Sequence, residues 1–103
     1  MTIHSLKYIV AVAEAGSITE AAKKLHISQP SLSAAVKDAE REVGFNIFTR
    51  SRSGIALTKE GVEFLGYARQ VIQEMRLLED RFILNQPEKQ RFCVSTQHYT
   101  FTA

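Results

Sequence analysis

A mainly α-helical fold of three short helices, a small β-hairpin and a long fourth helix is what the 103-residue sequence predicts. Three observations carry this expectation. Apolar residues recur at helical spacing in four separate stretches, capping residues and glycines punctuate them, and one turn-rich break is flanked by short extended runs. The length allows one domain, or a small domain with an appendage, and rules out a large multi-layer enzyme.

Over residues 4–15, Leu6, Ile9, Val10 and Ala13 stand at i, i+3, i+4 and i+7 and then meet Gly16, which tolerates the left-handed conformation that a helix end favours. Ser17-Ile18-Thr19-Glu20 has the form of a capping box and opens a second helix, whose apolar positions Ile18, Ala21, Ala22 and Leu25 cover barely two turns. The two adjacent alanines permit close approach by another helix. His26 and Ile27 make a short turn, and Ser28 is the next N-cap. Pro30 is tolerated because N–H groups of a first helical turn lack intrahelical partners in any case. This third helix runs to about Val43 and stops at Gly44. Its Leu32, Ala35, Val36, Ala39 and Val43 fall in one stripe, while Pro30, Ala34, Lys37 and Arg41 lie opposite with Ser33 and Asp38 beside them.

Extended runs over residues 46–50 and 55–57 flank Ser51-Arg52-Ser53-Gly54, which has the turn chemistry of a hairpin tip bearing arginine and no acid. Thr58 then caps a periodic segment ending near Asn85, in which Phe64, Leu65, Ala68, Val71, Ile72, Met75, Leu78, Phe82 and Ile83 keep one helical register. Pro87 marks the exit.

Thirteen Lys and Arg against eleven Asp and Glu give a net charge of only +2, so the location of charge, not its sum, must indicate a partner. Cys93 is the one cysteine, and His4, His26 and His98 have no helical i, i+4 partner of ligand type, which argues for a reducing compartment, the cytoplasm, with no metal and no cofactor. No stretch approaches the ~18 to 20 continuous apolar residues of a membrane span, and no leader is expected. A nucleophile, base and orienter cannot be assembled, so no enzymatic activity is expected.

Two short helices joined by a tight turn, a small pair at Ala21-Ala22 and a polar outward face on the second helix make a helix-turn-helix, and the basic hairpin makes it winged. The ordered set Ala21-Ala22-Lys23-Lys24-Leu25-His26-Ile27-Ser28-Gln29-Pro30-Ser31-Leu32-Ser33, then Ile47-Phe48-Thr49-Arg50, then Leu57-Thr58-Lys59-Glu60-Gly61 resembles the amino-terminal part of a LysR-type transcriptional regulator. The resemblance covers residues 3 to about 96. It implies a winged helix-turn-helix DNA-binding domain over residues 1–57, a linker helix over 58–86 that pairs with its copy, and the start of a truncated effector-binding domain over 87–103, of which residues 90–94 are the first strand. The chain departs from the family at Ala39, where a leucine is usual, so a neighbouring Phe or Ile is expected to fill the space.

The same resemblance sets Ser28, Gln29, Pro30, Ser31 and Ser33 toward DNA, against the plainer reading of ordinary capping. Capping does not account for the small, uncharged surface of Pro30, Ser33 and Ala34, and Gln29 is the candidate base reader because its amide both donates and accepts. Arg50 and Arg52 are either solvated hairpin charges or a wing's contacts to phosphate or a narrow minor groove. Lys37 and Arg41 divide between DNA contact and helix-surface ion pairs with Asp38 and Glu40, and Thr19 and Lys23 are weaker backbone-contact candidates. Ser95, Thr96 and Gln97 match a place where the family keeps hydroxyls near its effector, but no effector is expected to bind this fragment.

A helix over residues 58–85 is about 42 Å long at 1.5 Å per residue, against about 20 to 30 Å for a winged module. The surplus apolar stripe is expected to pair antiparallel with a second copy through Phe64, Leu65, Ala68, Val71, Ile72, Met75, Leu78 and Phe82. The expected partners are therefore double-stranded DNA and a second copy of this chain, with a higher oligomer left open for a full-length protein. The competing reading is a helical protein-interaction module that dimerises without binding DNA; an enzyme fragment is third. The hairpin arginines discriminate, because an adaptor has no need of them.

Overall fold

In the computed structural model, which describes residues 1–84, the chain forms α1 (Ile3–Ala15), α2 (Ile18–Leu25), α3 (Gln29–Val43), β1 (Phe48–Ser51), β2 (Gly54–Leu57) and α4 (Lys59–Glu79), followed by a π-helical turn at Asp80–Leu84. Residues 90–94 and the rest of 87–103 lie outside the described residues. The fold is the mainly helical winged helix-turn-helix that the sequence predicts.

Local chemistry sets the helix ends. The Ser17 hydroxyl accepts the Glu20 N–H at 3.2 Å, Ser28 accepts the Ser31 N–H at 3.2 Å, and Gly16 and Gly44 close α1 and α3 in the left-handed conformation. Two features differ from the expected pattern. Thr2 caps α1 by accepting the Ser5 N–H, so that helix begins at Ile3. His26, with φ 59°, takes the left-handed position that ends α2, and its N–H and that of Ile27 bond back to Lys23 and Ala22. A non-glycine residue there carries a modest backbone cost, offset by the carbonyls it helps to satisfy.

Ile9 and Val12 of α1, Ile18, Ala21 and Ala22 of α2, and Leu32, Val36 and Ala39 of α3 form one buried core. Ile47, Phe48 and Leu65 belong to the same core as Ala39. The hairpin is antiparallel with Phe48 opposite Leu57 and Ser51 opposite Gly54, leaving Arg52 and Ser53 as a two-residue turn. Strand β1 starts two residues later than the sequence suggests because Ile47 is already engaged: its N–H goes to Glu40 and its carbonyl accepts from Thr58.

Thr58 is a junction. Its Oγ1 caps α4 by accepting the Gly61 N–H at 2.9 Å and donates to the Asn46 carbonyl at 2.6 Å, while its own N–H donates to Ile47 at 3.0 Å. The resulting approach is so close that a Cβ on Gly61 would stand 2.1 Å from the Ile47 oxygen.

The single apolar register expected along residues 64–83 is divided in the structure. The compact unit extends over Met1–Ile72, and Phe64 packs on the core, Leu65 belongs to it, and Ala68 and Ile72 are also buried within one chain. Those four are used internally, because α4 covers the domain with this face, and they do not form an exposed seam. Val71, Leu78 and Phe82 are exposed and Met75 is half-buried. Beyond Glu79 the π-helical turn also shifts the phase that 100° per residue would give.

Glycines 61 and 66 in α4 should respond oppositely to alanine. Gly61→Ala must displace the Ile47 carbonyl and should cost about 2 kcal/mol or more, as overpacking does, whereas Gly66, with open space at its Cβ position, should gain about 0.5 to 1 kcal/mol as alanine. Paired thermal melts check this; equal shifts for the two variants would contradict the close approach.

Candidate nucleic-acid interface

The outward face of α3 starts at its cap. Ser28 accepts the Ser31 N–H and donates its own proton to Ser31 Oγ at 2.8 Å, which leaves the Ser31 hydroxyl proton free to be donated outward. Ser28 is thus the cap that the plain reading asks for. Gln29, Pro30, Ser31, Ala34 and Lys37 are exposed and Ser33 is half-buried, while the opposite stripe of Leu32, Val36 and Ala39 is in the core. A helix whose outer surface carries so little bulk over its first two turns lets another polar surface come near its main chain.

The structure brings three of the predicted site residues together. Thr19 at the start of α2, Gln29 at the start of α3 and Arg50 on β1 line one open groove with Gly16, Ser17, Ile18, Ser51, Gly54 and Ile55. The first N–H groups of α2, at Ile18 and Thr19, have no main-chain partner among the described residues and face no acidic side chain within this lining. Such a groove offers hydrogen-bond donors and positive charge to an anion. The Ile55 N–H, at 3.4 Å from the Gly16 carbonyl, anchors β2 to the α1–α2 turn and so forms the floor between helices and hairpin.

Charge on this side is sorted by ion pairing. Arg41 pairs with Asp38, and Lys23 lies 3.6 Å from Glu20, both as exposed i, i+3 pairs that contribute little to stability. Among the described residues, Lys37, Arg50 and Arg52 have no carboxylate within ion-pairing distance. Arg52 occupies the hairpin turn, and Arg50 lies two residues before it on β1.

Glu40 was expected among the surface charges of α3 and is instead half-buried, with Oε2 accepting the N–H groups of Ile47 at 2.8 Å and Phe48 at 3.2 Å. Nothing in the helical spacing distinguishes it from Asp38 or Glu42; only the loop that folds back onto it does. Among the described residues, no group of three or more His, Cys, Asp or Glu side chains could hold a metal ion, and no helix is long and apolar enough to cross a membrane. Ser95, Thr96 and Gln97 lie outside the described residues.

Residues 3–62 match the family profile of bacterial regulatory helix-turn-helix proteins, lysR family. The HTH-type transcriptional regulator TfdT of Cupriavidus pinatubonensis (strain JMP 134 / LMG 1197) is 47% identical over 72 residues, which are 70% of this chain and 32% of that protein. The crystal structure of the CbnR_DBD–DNA complex superposes with a TM-score of 0.75 at 41% identity, covering 79% of this chain and 93% of that one. The BenM_DBD/catB site 1 DNA complex does so with a TM-score of 0.76 at 34% identity, covering 79% and 91%. The chain spans about a quarter to a third of the length of the curated relatives it matches.

The cap at Ser28 should be separable from its neighbour. Ser28→Ala removes the acceptor for the Ser31 N–H and should lower stability by about 1 kcal/mol, while Ser31→Ala, which leaves that bond intact, should change it by less than about 0.5 kcal/mol. Urea titration distinguishes them, and equal losses would remove the capping role.

Proposed function

The chain belongs to the lysR family of bacterial regulatory helix-turn-helix proteins, and from that premise we propose that it binds duplex DNA as a dimer, in the cytoplasm, as the DNA-binding part of a transcriptional regulator. The observation that carries the reading is the groove shared by Thr19, Gln29 and Arg50, which joins the two helices and the hairpin on one exposed surface. The solved DNA complexes of similar fold support it.

In this reading α3 enters the major groove with Gln29 reading a base edge, helped by Ser33 and by apolar contact from Pro30 and Ala34. Ser28, Ser31, Thr19, Lys23 and Lys37 meet the phosphate backbone, which positions the helix without reading sequence. Arg50 and Arg52 carry the wing onto phosphate or the adjacent minor groove. Residues 1–57 hold the recognition surface, residues 58–86 link and pair two copies, and residues 87–103 open a further domain.

Exposed apolar side chains support the pairing. Tyr67, Val71 and Leu78 recur at helical spacing along α4, Phe82 follows in the turn beyond it, and each is about half exposed or more. A second copy related by a two-fold axis covers both stripes and places two recognition helices toward the half-sites of an inverted repeat.

Selection of binding sites from a random duplex pool tests the DNA reading and should recover interrupted, A·T-leaning inverted repeats. On such a site Gln29→Ala should cost about 1 to 3 kcal/mol while leaving binding to random duplex nearly unchanged. Arg52→Ala should weaken both and reduce the salt slope by about one unit. Equal losses on selected and random duplex for Gln29→Ala would remove its base-reading role.

The seam is tested by substitutions on the exposed side. Val71→Asp and Leu78→Asp should shift a micromolar dimer to monomer in sedimentation while the residues 1–72 unit keeps its melting temperature within ~2 °C. Ile72→Asp should instead lower the melting temperature, because Ile72 is only 8% exposed in one chain. A chain that sediments as a monomer at high concentration, or a Leu78→Asp variant that still dimerises, would exclude this helix as the interface.

A further inference from the structure

We propose that Glu40 is a positioning residue for DNA binding: its carboxylate ties the recognition helix α3 to the base of the wing, so that Gln29 and the wing arginines keep a fixed separation. The proposal rests on the DNA-binding reading above and adds a residue that never touches DNA. Among the described residues, the other carboxylates that have partners, Glu14, Glu20, Asp38 and Glu42, all pair with cations. Glu40 is bonded to main chain instead, taking the N–H groups of Ile47 and Phe48 on one oxygen. Charge-assisted hydrogen bonds of this kind are stronger than neutral ones and directional.

The wing has few other ties. A two-stranded hairpin of four-residue strands is at best marginal alone, and among the described residues this one pairs with no further strand. Among the described residues its second strand has one main-chain bond to the helices, Ile55 to Gly16 at 3.4 Å, beside the apolar packing of Ile55 and Leu57 on the core. Its first strand begins at Phe48, one of the two residues that Glu40 holds, and Arg50 follows two residues later. Burial of the Ile47 and Phe48 side chains fixes how deep the hairpin base sits, but apolar contact is non-directional and does not by itself fix the angle at which β1 leaves α3. Thr58 holds the Asn46 and Ile47 carbonyls on the side of α4; on the side of α3 the Glu40 carboxylate supplies the direction, and the groove of Thr19, Gln29 and Arg50 depends on it.

A double-mutant cycle on the 103-residue chain, using a duplex recovered by site selection, tests this. Arg52→Ala, Glu40→Gln and the double variant are titrated across a salt series, and amide hydrogen exchange at Ile47 and Phe48 reports the tether directly. Glu40→Gln should speed exchange at both amides, weaken binding about tenfold and lower the salt slope by about one unit, as loss of a phosphate contact does. In that background Arg52→Ala should have less than half of its wild-type effect, because residues acting through one element are not additive. A merely structural glutamate would lower the melting temperature and leave the Arg52 effect and the slope unchanged. Should Glu40→Gln be unfolded at the assay temperature, Glu40→Asp, which keeps the charge but shortens the reach by one methylene, takes its place in the cycle. Full additivity, with Arg52→Ala weakening binding equally in both backgrounds, would overturn the role of Glu40 and leave the wing reading intact. An Arg52→Ala variant and an Arg50→Ala variant that both bind as wild type would overturn the wing reading and the Glu40 role together.

Discussion

Ile47 is where three elements of the fold are held at once. Its side chain is fully buried, its N–H is taken by a carboxylate from α3, and its carbonyl receives the main chain of Thr58 just before α4. A buried peptide group must be satisfied on both sides, and here both partners come from other elements. The start of β1, the start of α4 and the absence of a side chain at residue 61 all follow from satisfying the main chain of that one residue.

On the recognition side, the arrangement concentrates charge without a large excess of it. The net charge of +2 is too small to draw the chain to a polyanion by itself. Pairing of Arg41 with Asp38 and of Lys23 with Glu20 neutralises the helix flanks, while Lys37, Arg50 and Arg52 are among the cations with no carboxylate in ion-pairing distance among the described residues. The first turns of α3 are small and uncharged, so under the proposed function contact there depends on hydrogen-bond geometry, while attraction comes from Lys37 and the wing arginines. In the proposed reading, affinity and discrimination fall to different residues.

What could be read from the sequence follows the range of the interactions involved. The first three helices, with the caps at Ser17 and Ser28 and the stops at Gly16 and Gly44, are legible because capping and amphipathic periodicity act within a few residues. So is the exposure of Pro30, Ala34 and Lys37, which follows from the position of Leu32 and Val36 on the same helix. The late start of β1 and the role of Glu40 are not, since both depend on a loop returning to a helix seven or eight residues earlier. On α4 the pattern failed in another way: apolar residues occupy two sides, and spacing cannot say whether Val71 or its neighbour Ile72 faces inward. The meeting of Thr19, Gln29 and Arg50 in one groove is a tertiary fact that no local pattern records.

The burial of Leu65, Ala68 and Ile72 has a consequence for the order in which the protein is made. A ribosome delivers the chain from its N-terminus, and domains fold as units once their last packing residues are available. All residues of the proposed recognition surface have been synthesised by Leu57, yet the compact unit runs to Ile72. A nascent chain paused after the wing, or a product cut there by a protease, would carry every DNA-facing side chain on a domain whose core is still open to water. Release of the next fifteen residues, rather than completion of the hairpin, is what completes the compact unit beneath that surface.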